Sequence, residues 1–259
     1  MLGVGYWMTK GTSQVARIRL PKGVGTLLIL GGSFDPPHSG HIDAALSAVT
    51  RGRMTDAAVL LVPAAKSPHK PAGAFASDRH RVAMLRLVIG HLPGVRMWLD
   101  EVRRAASDEP SYTIDTLRRL RSVVPECVRL RLVIGTDQAA AFHKWRAPRE
   151  IIEIAEPIVL RRRPVTTAAG LVKAIDHGFW TPSERDAWGK RLAKNTLRAD
   201  NSTAIRAAIL KAPSDVARWK AYPGLRDLHP AVARYIAAHG LYGFAGSRRM
   251  MIQRKRPSV

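Results

Sequence analysis

The most constraining feature of this sequence is a change of rhythm between residues 26 and 51. An apolar run at 26–30 stops at Gly31-Gly32, a short loop follows, and from Gly40 to Arg51 the apolar spacing is that of a helix. A short apolar run closed by turn residues suits a strand covered on both faces. The same alternation then repeats along the chain. Residues 57–62 form a second apolar run, stopped by Pro63. Asp78 stands where a cap is needed for a helix to about Ile89, with Met84, Leu85 and Val88 on one face. Further strands are expected at 95–99, 129–134 (ending at Gly135), 157–160 and 196–199. Helices are expected at 113–123, 148–155, 202–211 and 229–239, the last followed by Gly240 in a C-cap position. Residues 164–195 read as a helix plus a variable insertion. Strands alternating with helices predict an α/β fold: a doubly wound, mainly parallel, Rossmann-like sheet with right-handed crossovers and a small C-terminal helical part.

Charge divides the chain. There are 42 Lys and Arg against 20 Asp and Glu, a net charge of +22. Residues 1–25 hold Lys10, Arg17, Arg19 and Lys22 with no acid, and residues 248–259 hold Arg248, Arg249, Arg254, Lys255 and Arg256 with none. We therefore expect a loosely ordered basic extension at 1–25, a folded domain at 26–245 and a basic tail at 246–259. Such a field attracts nucleic acid and anionic small substrates alike. The charges are scattered and not interleaved with aromatics, so nothing beyond charge supports a nucleic-acid role. One cysteine, Cys127, rules out an intrachain disulfide and a thiolate metal cluster. No stretch reaches the length of a membrane span, and no secretory signal is recognisable; the expected place of work is the cytoplasm.

The first strand–loop–helix reads Gly31-Gly32-Ser33-Phe34-Asp35-Pro36-Pro37-His38-Ser39-Gly40-His41. Glycines permit positive φ and let a phosphate approach the backbone. A helix start offers unpaired N–H groups to an anion. His38 and His41, three apart at that start, can point at one bound phosphate. In an open α/β sheet this place lies at the carboxyl ends of the strands, where ligands bind. A structural turn with two incidental histidines is the alternative. A metal site would need ligands that two histidines do not supply, and a P-loop is excluded because no Gly-Lys-Ser/Thr closes the loop.

Gly-Ser-Phe-Asp-Pro followed by His-Ser-Gly-His resembles the signature of the His-x-Gly-His nucleotidyltransferase superfamily. The resemblance implies that Gly31, Gly32, Ser33, Phe34, His38 and His41 hold the phosphates of ATP, with His38 and His41 acting on the triphosphate during reaction.

Further segments resemble one branch, the nicotinate-nucleotide adenylyltransferases. They are Lys66-Ser67-Pro68-His69-Lys70, Pro110-Ser111-Tyr112-Thr113, Ile134-Gly135-Thr136-Asp137, Trp145, and Ser202-Thr203-Ala204-Ile205-Arg206. Together they run, in the expected order, over most of the chain. The resemblance implies adenylyl transfer from ATP to nicotinic acid mononucleotide. Ser202, Thr203 and Arg206 would close on the triphosphate. Lys70, Ser111, Tyr112, Thr113, Gly135, Asp137, Trp145 and Arg161 would bind the acceptor. Trp145 can stack on a pyridinium ring; taken alone it reads better as core packing. Ser111, Tyr112 and Thr113 at a helix start can present donors to a carboxylate. Asp137 can accept ribose hydroxyls. Mg²⁺ is expected to accompany ATP, held by phosphates and water with no dedicated protein ligand. Asn201 and Asp200 depart from the branch's pattern before Ser202. Nicotinamide mononucleotide and phosphopantetheine are the acceptors of rival branches, and a non-catalytic nucleic-acid-binding protein on the same fold is the third possibility.

Overall fold

The structure, a computed structural model, describes residues 15–66, 73–90, 92–105, 110–194 and 201–245, apart from the side chains of residues 41, 44 and 51. The elements in chain order are β1 (Thr26–Gly32), α1 (Ser39–Arg51), β2 (Ala57–Pro63), α2 (Asp78–Ile89), β3 (Val95–Met97), α3 (Asp100–Arg104), α4 (Thr113–Arg121), β4 (Arg129–Gly135), α5 (Thr136–Ala140), α6 (Pro148–Ile154), β5 (Glu156–Leu160), α7 (Ala168–Ala174), α8 (Pro182–Lys190), α9 (Ser202–Ile209) and α10 (Pro230–His239). The five strands make one parallel sheet in the order β3-β2-β1-β4-β5. Its doubly wound α/β architecture is the one the alternation of apolar runs predicts.

Alternation along each strand sends neighbours to opposite faces. Leu27 and Ile29 of β1 join Leu60, Leu132, Leu117 and Trp188 on one side. Leu28 and Leu30 join Leu61, Ile42, Leu85 and Val133 on the other. Both faces are covered, which is why the strands read as continuous apolar runs. A third cluster belongs to the C-terminal helical part: Ile205, Ile209, Trp219, Val232 and Ile236 close around Met84. Helix α2 therefore serves two cores, Leu85 facing the sheet and Met84 facing α9 and α10.

Several local expectations change. Asp78 is the first residue of α2 and not its cap; Ser77 holds the cap position, and Asp78 pairs with Arg81 at 2.6 Å. β3 ends at Met97, because Leu99 already caps the short helix α3, which the sequence did not suggest. The stretch 164–194 holds two helices. The second, α8, begins with a capping box: Glu184 N–H donates to Thr181 Oγ1, and Thr181 N–H donates to the Glu184 carboxylate. Thr181-Pro182-Ser183-Glu184 was a sequence signal for that start. The strand expected at 196–199 lies outside the described residues, but just before it the chain at 191–193 bonds the free edge of β5 through Val159. Residues 15–24 run along the body, where Trp98 Nε1 donates to Ala16 O at 2.8 Å.

Candidate active site

The ladder between β1 and β4 is short. It pairs Thr26 with Arg129 and ends at Ile29 with Leu132, whereas β1 stays paired to β2 as far as Gly32 and β4 to β5 as far as Gly135. Beyond Ile29 the two central strands part. The sheet order also reverses here, so this is the switch point at which open α/β sheets bind ligands. A cavity of about 480 Å³ opens there. Gly31, Gly32 and Ser33 form one wall, and Gly135, Asp137 and Gln138 another. Ser111, Thr113, Thr116 and Glu101 come in from α3 and the start of α4, with Trp145 nearby.

The glycines act differently from the expectation. Gly31 and Gly32 continue β1, in register with Val62 and Pro63, and neither takes a positive φ. The left-handed residue is Phe34, at φ 49°, whose buried ring lies against Gly32. What Gly31 supplies is a bare wall: a Cβ built there meets nothing within 4 Å. Gly135 supplies close approach, since a Cβ there would fall 2.3 Å from Asp137 Oδ1 and 2.9 Å from Arg162 Cδ. Asp137 and Arg162 stand 3.9 Å apart at that strand end.

His38 caps α1 with an extended backbone, without a side-chain capping bond, and no acid occupies the first turn. Its ring is 1 % exposed and does not border the cavity. That departs from the expectation of two imidazoles open to one phosphate. The loop that leads to it is tied to the C-terminal part. Ser202 Oγ donates to Pro36 O at 3.1 Å and Arg206 Nη1 to Asp35 O at 2.7 Å, while Ser39 N–H donates to Asp227 O at 2.9 Å. Of His41 the backbone lies in α1, and its side chain is among those outside the description.

The start of α9 is thus fixed to the loop by the residues read as triphosphate contacts. Arg206 Nη2 also reaches Thr203 Oγ1 at 3.1 Å, and its guanidinium lies 4.2 Å over the ring of Phe75, which is 76 % exposed. Asn201, a departure from the branch's pattern, is a working cap: its Oδ1 accepts from Ala204 N–H at 2.8 Å.

Of the residues expected to bind an acceptor, Ser111, Thr113, Gly135, Asp137 and Trp145 converge on the cavity. Trp145 stacks on Phe142, the centroids 4.8 Å apart, and so is held by the core while bordering the cavity. Tyr112 turns instead to the core beneath Arg146. Arg162 lines the cavity and Arg161 does not, because adjacent residues in extended chain face opposite ways. Lys70 lies outside the described residues.

Three further residues matter here: Arg81 and Glu101, which gave no sequence signal, and Asp35, which lies within the motif but had no expected role. Arg81 is fully buried; its guanidinium donates to Ser33 O and, at 2.5 Å, to Ala64 O, tying the ends of β1 and β2 together. Asp35 accepts from Phe75 N–H (2.6 Å), Ala76 N–H (3.1 Å) and Tyr242 Oη (2.8 Å). Glu101 is 7 % exposed, and burial pushes its carboxyl up to about 7 against the opposing bonds of Thr116 and Ser111 and the charge of Arg104. Among the described residues no group of three or more His, Cys, Asp or Glu could hold a metal ion.

A family model described as cytidylyltransferase-like matches residues 29–208. A protein of Stenotrophomonas maltophilia named "Probable nicotinate-nucleotide adenylyltransferase" is 32% identical over 223 residues, 82% of this chain and 94% of its own. The chain belongs to the nicotinate-nucleotide adenylyltransferase family. A family member from Acidithiobacillus ferrooxidans is 38% identical over 154 residues, 60% of this chain and 67% of its own. The nicotinic acid mononucleotide adenylyltransferase of Plasmodium falciparum, solved in complex with NaAD, aligns with a TM-score of 0.57 at 18% identity, covering 85% of this chain and 98% of that one. That likeness shows the shared fold. Residues 29–208 take in both the β1 loop and the start of α9, which bonds that loop at Asp35 and Pro36.

Proposed function

We propose that this protein transfers the adenylyl group of ATP to nicotinic acid mononucleotide, giving nicotinic acid adenine dinucleotide and pyrophosphate, a step of NAD biosynthesis in the cytoplasm. The observation that carries the reading is the cavity at the parting of β1 and β4, with a bare glycine wall on one side and the hydroxyls of Ser111 and Thr113 beside Trp145 on the other. Among the described residues no helix is long and apolar enough to cross a membrane.

An oxygen of the acceptor's 5′-phosphate attacks the α-phosphorus of ATP. The bond from that phosphorus to the bridging oxygen of the β-phosphate breaks, and pyrophosphate leaves with the electron pair. No covalent enzyme intermediate forms, so the protein's work is positioning and charge neutralisation. Gly31, Gly32 and Ser33 let the triphosphate lie against the end of β1. His38, His41, Ser202, Thr203 and Arg206 act on its charge in this reading, for which His38, buried here, has to become accessible as the nucleotide enters. Ser111, Tyr112, Thr113, Gly135, Asp137, Trp145, Lys70 and Arg161 serve the acceptor in this reading. Mg²⁺ bound to ATP would neutralise phosphate charge; with the Asp35 carboxylate committed to Phe75, Ala76 and Tyr242, phosphates and water would hold it. The catalytic domain is 26–245 in this reading, with residues 15–24 of the expected N-terminal extension packed against its core and a basic tail at 246–259.

Purified protein given ATP, Mg²⁺ and nicotinic acid mononucleotide is expected to release pyrophosphate. His41→Ala is expected to lower kcat by roughly 100-fold, the scale of losing one donor to developing phosphate charge. No pyrophosphate release with any mononucleotide overturns the reading.

A further inference from the structure

Two adjacent carboxylates, Asp100 and Glu101, begin the same short helix and have opposite surroundings. Asp100 collects the guanidinium groups: Arg104 Nε at 2.9 Å, and Arg119 through Nε at 2.8 Å and Nη2 at 2.9 Å. Burial pushes its carboxyl up, but the Arg119 bonds and the Arg119 and Arg104 charges outweigh that and hold it low. Glu101 receives hydroxyls. Thr116 Oγ1 donates to Glu101 Oε1 at 2.7 Å, and Ser111 bonds the same carboxyl. The Thr116 hydroxyl is itself oriented by Arg104 Nη2, which donates to it at 3.4 Å. Arg104 and Arg119 are therefore directed at Asp100, while Arg118 of α4 pairs with Glu150 and Arg121 with backbone carbonyls, and among the described residues the hydrogen bonds to the nearly buried Glu101 in the cavity wall come from hydroxyls.

A cavity that receives a pyridine carboxylate should not present a second negative charge to it. Like charges in a poorly screened site repel strongly, whereas a carboxylic acid carrying its proton donates a hydrogen bond to a carboxylate. We infer that Glu101 is a specificity-determining residue of the acceptor pocket: protonated, it admits the nicotinate carboxylate, and ionised, it turns selection toward the neutral carboxamide. The inference rests on the acceptor reading above. The groups that set its charge are Asp100 and Arg104 on α3, Ser111 before α4, and Thr116 on α4, with Arg119 acting through Asp100. The other charged groups on the cavity wall, Asp137 and Arg162, face each other. With burial pushing Glu101 up to about 7, it changes charge within the neutral range.

The test is the ratio of kcat/KM for nicotinic acid mononucleotide over that for nicotinamide mononucleotide, measured from about pH 6 to about pH 8. Both acceptors carry the same ribose 5′-phosphate, so titrations shared by the two cancel in the ratio. In the native enzyme the ratio is expected to fall by at least about tenfold across that range. Glu101→Gln, which keeps the shape and cannot ionise, is expected to give a flat ratio. Thr116→Val removes a donor that favours the ionised form, and is expected to move the fall to higher pH. A flat ratio in the active native enzyme, or an unchanged fall in Glu101→Gln or Thr116→Val, overturns the inference alone. An enzyme that turns over neither acceptor overturns it together with the adenylyl-transfer reading.

Discussion

The hydroxyl of Tyr242 donates to Asp35 Oδ1 at 2.8 Å, joining the last described turn of the chain to the loop after β1. Both partners are held from other directions. Asp35 also accepts from the backbone of Phe75 and Ala76, and Tyr242 sits at φ 57°, a left-handed conformation that a non-glycine residue adopts only when its surroundings hold it there. Burial and the adjacent Asp35 charge push the Tyr242 hydroxyl well above its ordinary range, so it keeps its proton, and the bond, at any working pH. Through this contact the C-terminal helical part reaches the loop that carries His38.

Tyr242→Phe isolates that contact. Losing one hydroxyl bond to a charged acceptor is expected to cost about 2 kcal/mol in chemical unfolding. If the contact sets the loop that faces ATP, KM for ATP also rises several-fold while KM for the acceptor stays unchanged. A stability loss with both KM values unchanged would show that Tyr242 fastens the C-terminal part without shaping the nucleotide side.

Arg81 offers a second handle on the same loop. Its guanidinium bonds both Ser33 O and Ala64 O, at the ends of neighbouring strands, while Asp78 balances its charge. Arg81→Met keeps much of the stem and removes every donor. Breaking a buried, charge-assisted link of this kind is expected to cost roughly 3 kcal/mol, lowering the thermal midpoint by about 10 °C. A midpoint within a degree or two of the native one would mean that the two loop ends are fixed by other contacts.

The strands were legible because burial on both faces leaves only apolar side chains between Gly and Pro stops, as at 26–30 and 57–62. The crevice was legible too, since Gly31-Gly32 and Gly135 end the two central strands. What sequence could not show was pairing across distance. Asp35 and Tyr242 are 207 positions apart, and no local pattern links them. Arg81 lies in Asp78-Arg79-His80-Arg81, which reads as a solvated helix start, yet it is fully buried. Arg161 and Arg162 differ in sequence by nothing that says which will face the cavity. The burial of His38 had no local signal either; the residues beside it in the loop are bonded by α9 and Asp227, far along the chain. Glu101, within Asp100-Glu101-Val102-Arg103-Arg104, reads as an exposed charge until Asp100 is seen to take the guanidinium groups.

That last arrangement has a consequence for stability. In the folded protein Glu101 keeps its proton up to about 7, whereas in the unfolded chain it gives the proton up around its ordinary 4.5. The folded state therefore binds more protons between those values, and stability falls as pH rises through that window. Below it both states are protonated and the contribution is complete; above it the loss is constant, at about 3 kcal/mol. Asp100 acts the other way, and only at more acidic pH, because its folded value lies below its ordinary one. Urea unfolding of the native protein and of Glu101→Gln at pH values either side of the window separates this effect from every other titration. The glutamine variant is expected to gain on the native protein as pH rises from about 5 to about 8, by up to about 3 kcal/mol. If the two proteins instead keep a constant difference across that range, Glu101 is already ionised in the folded state, and the cavity wall carries its charge at all neutral pH.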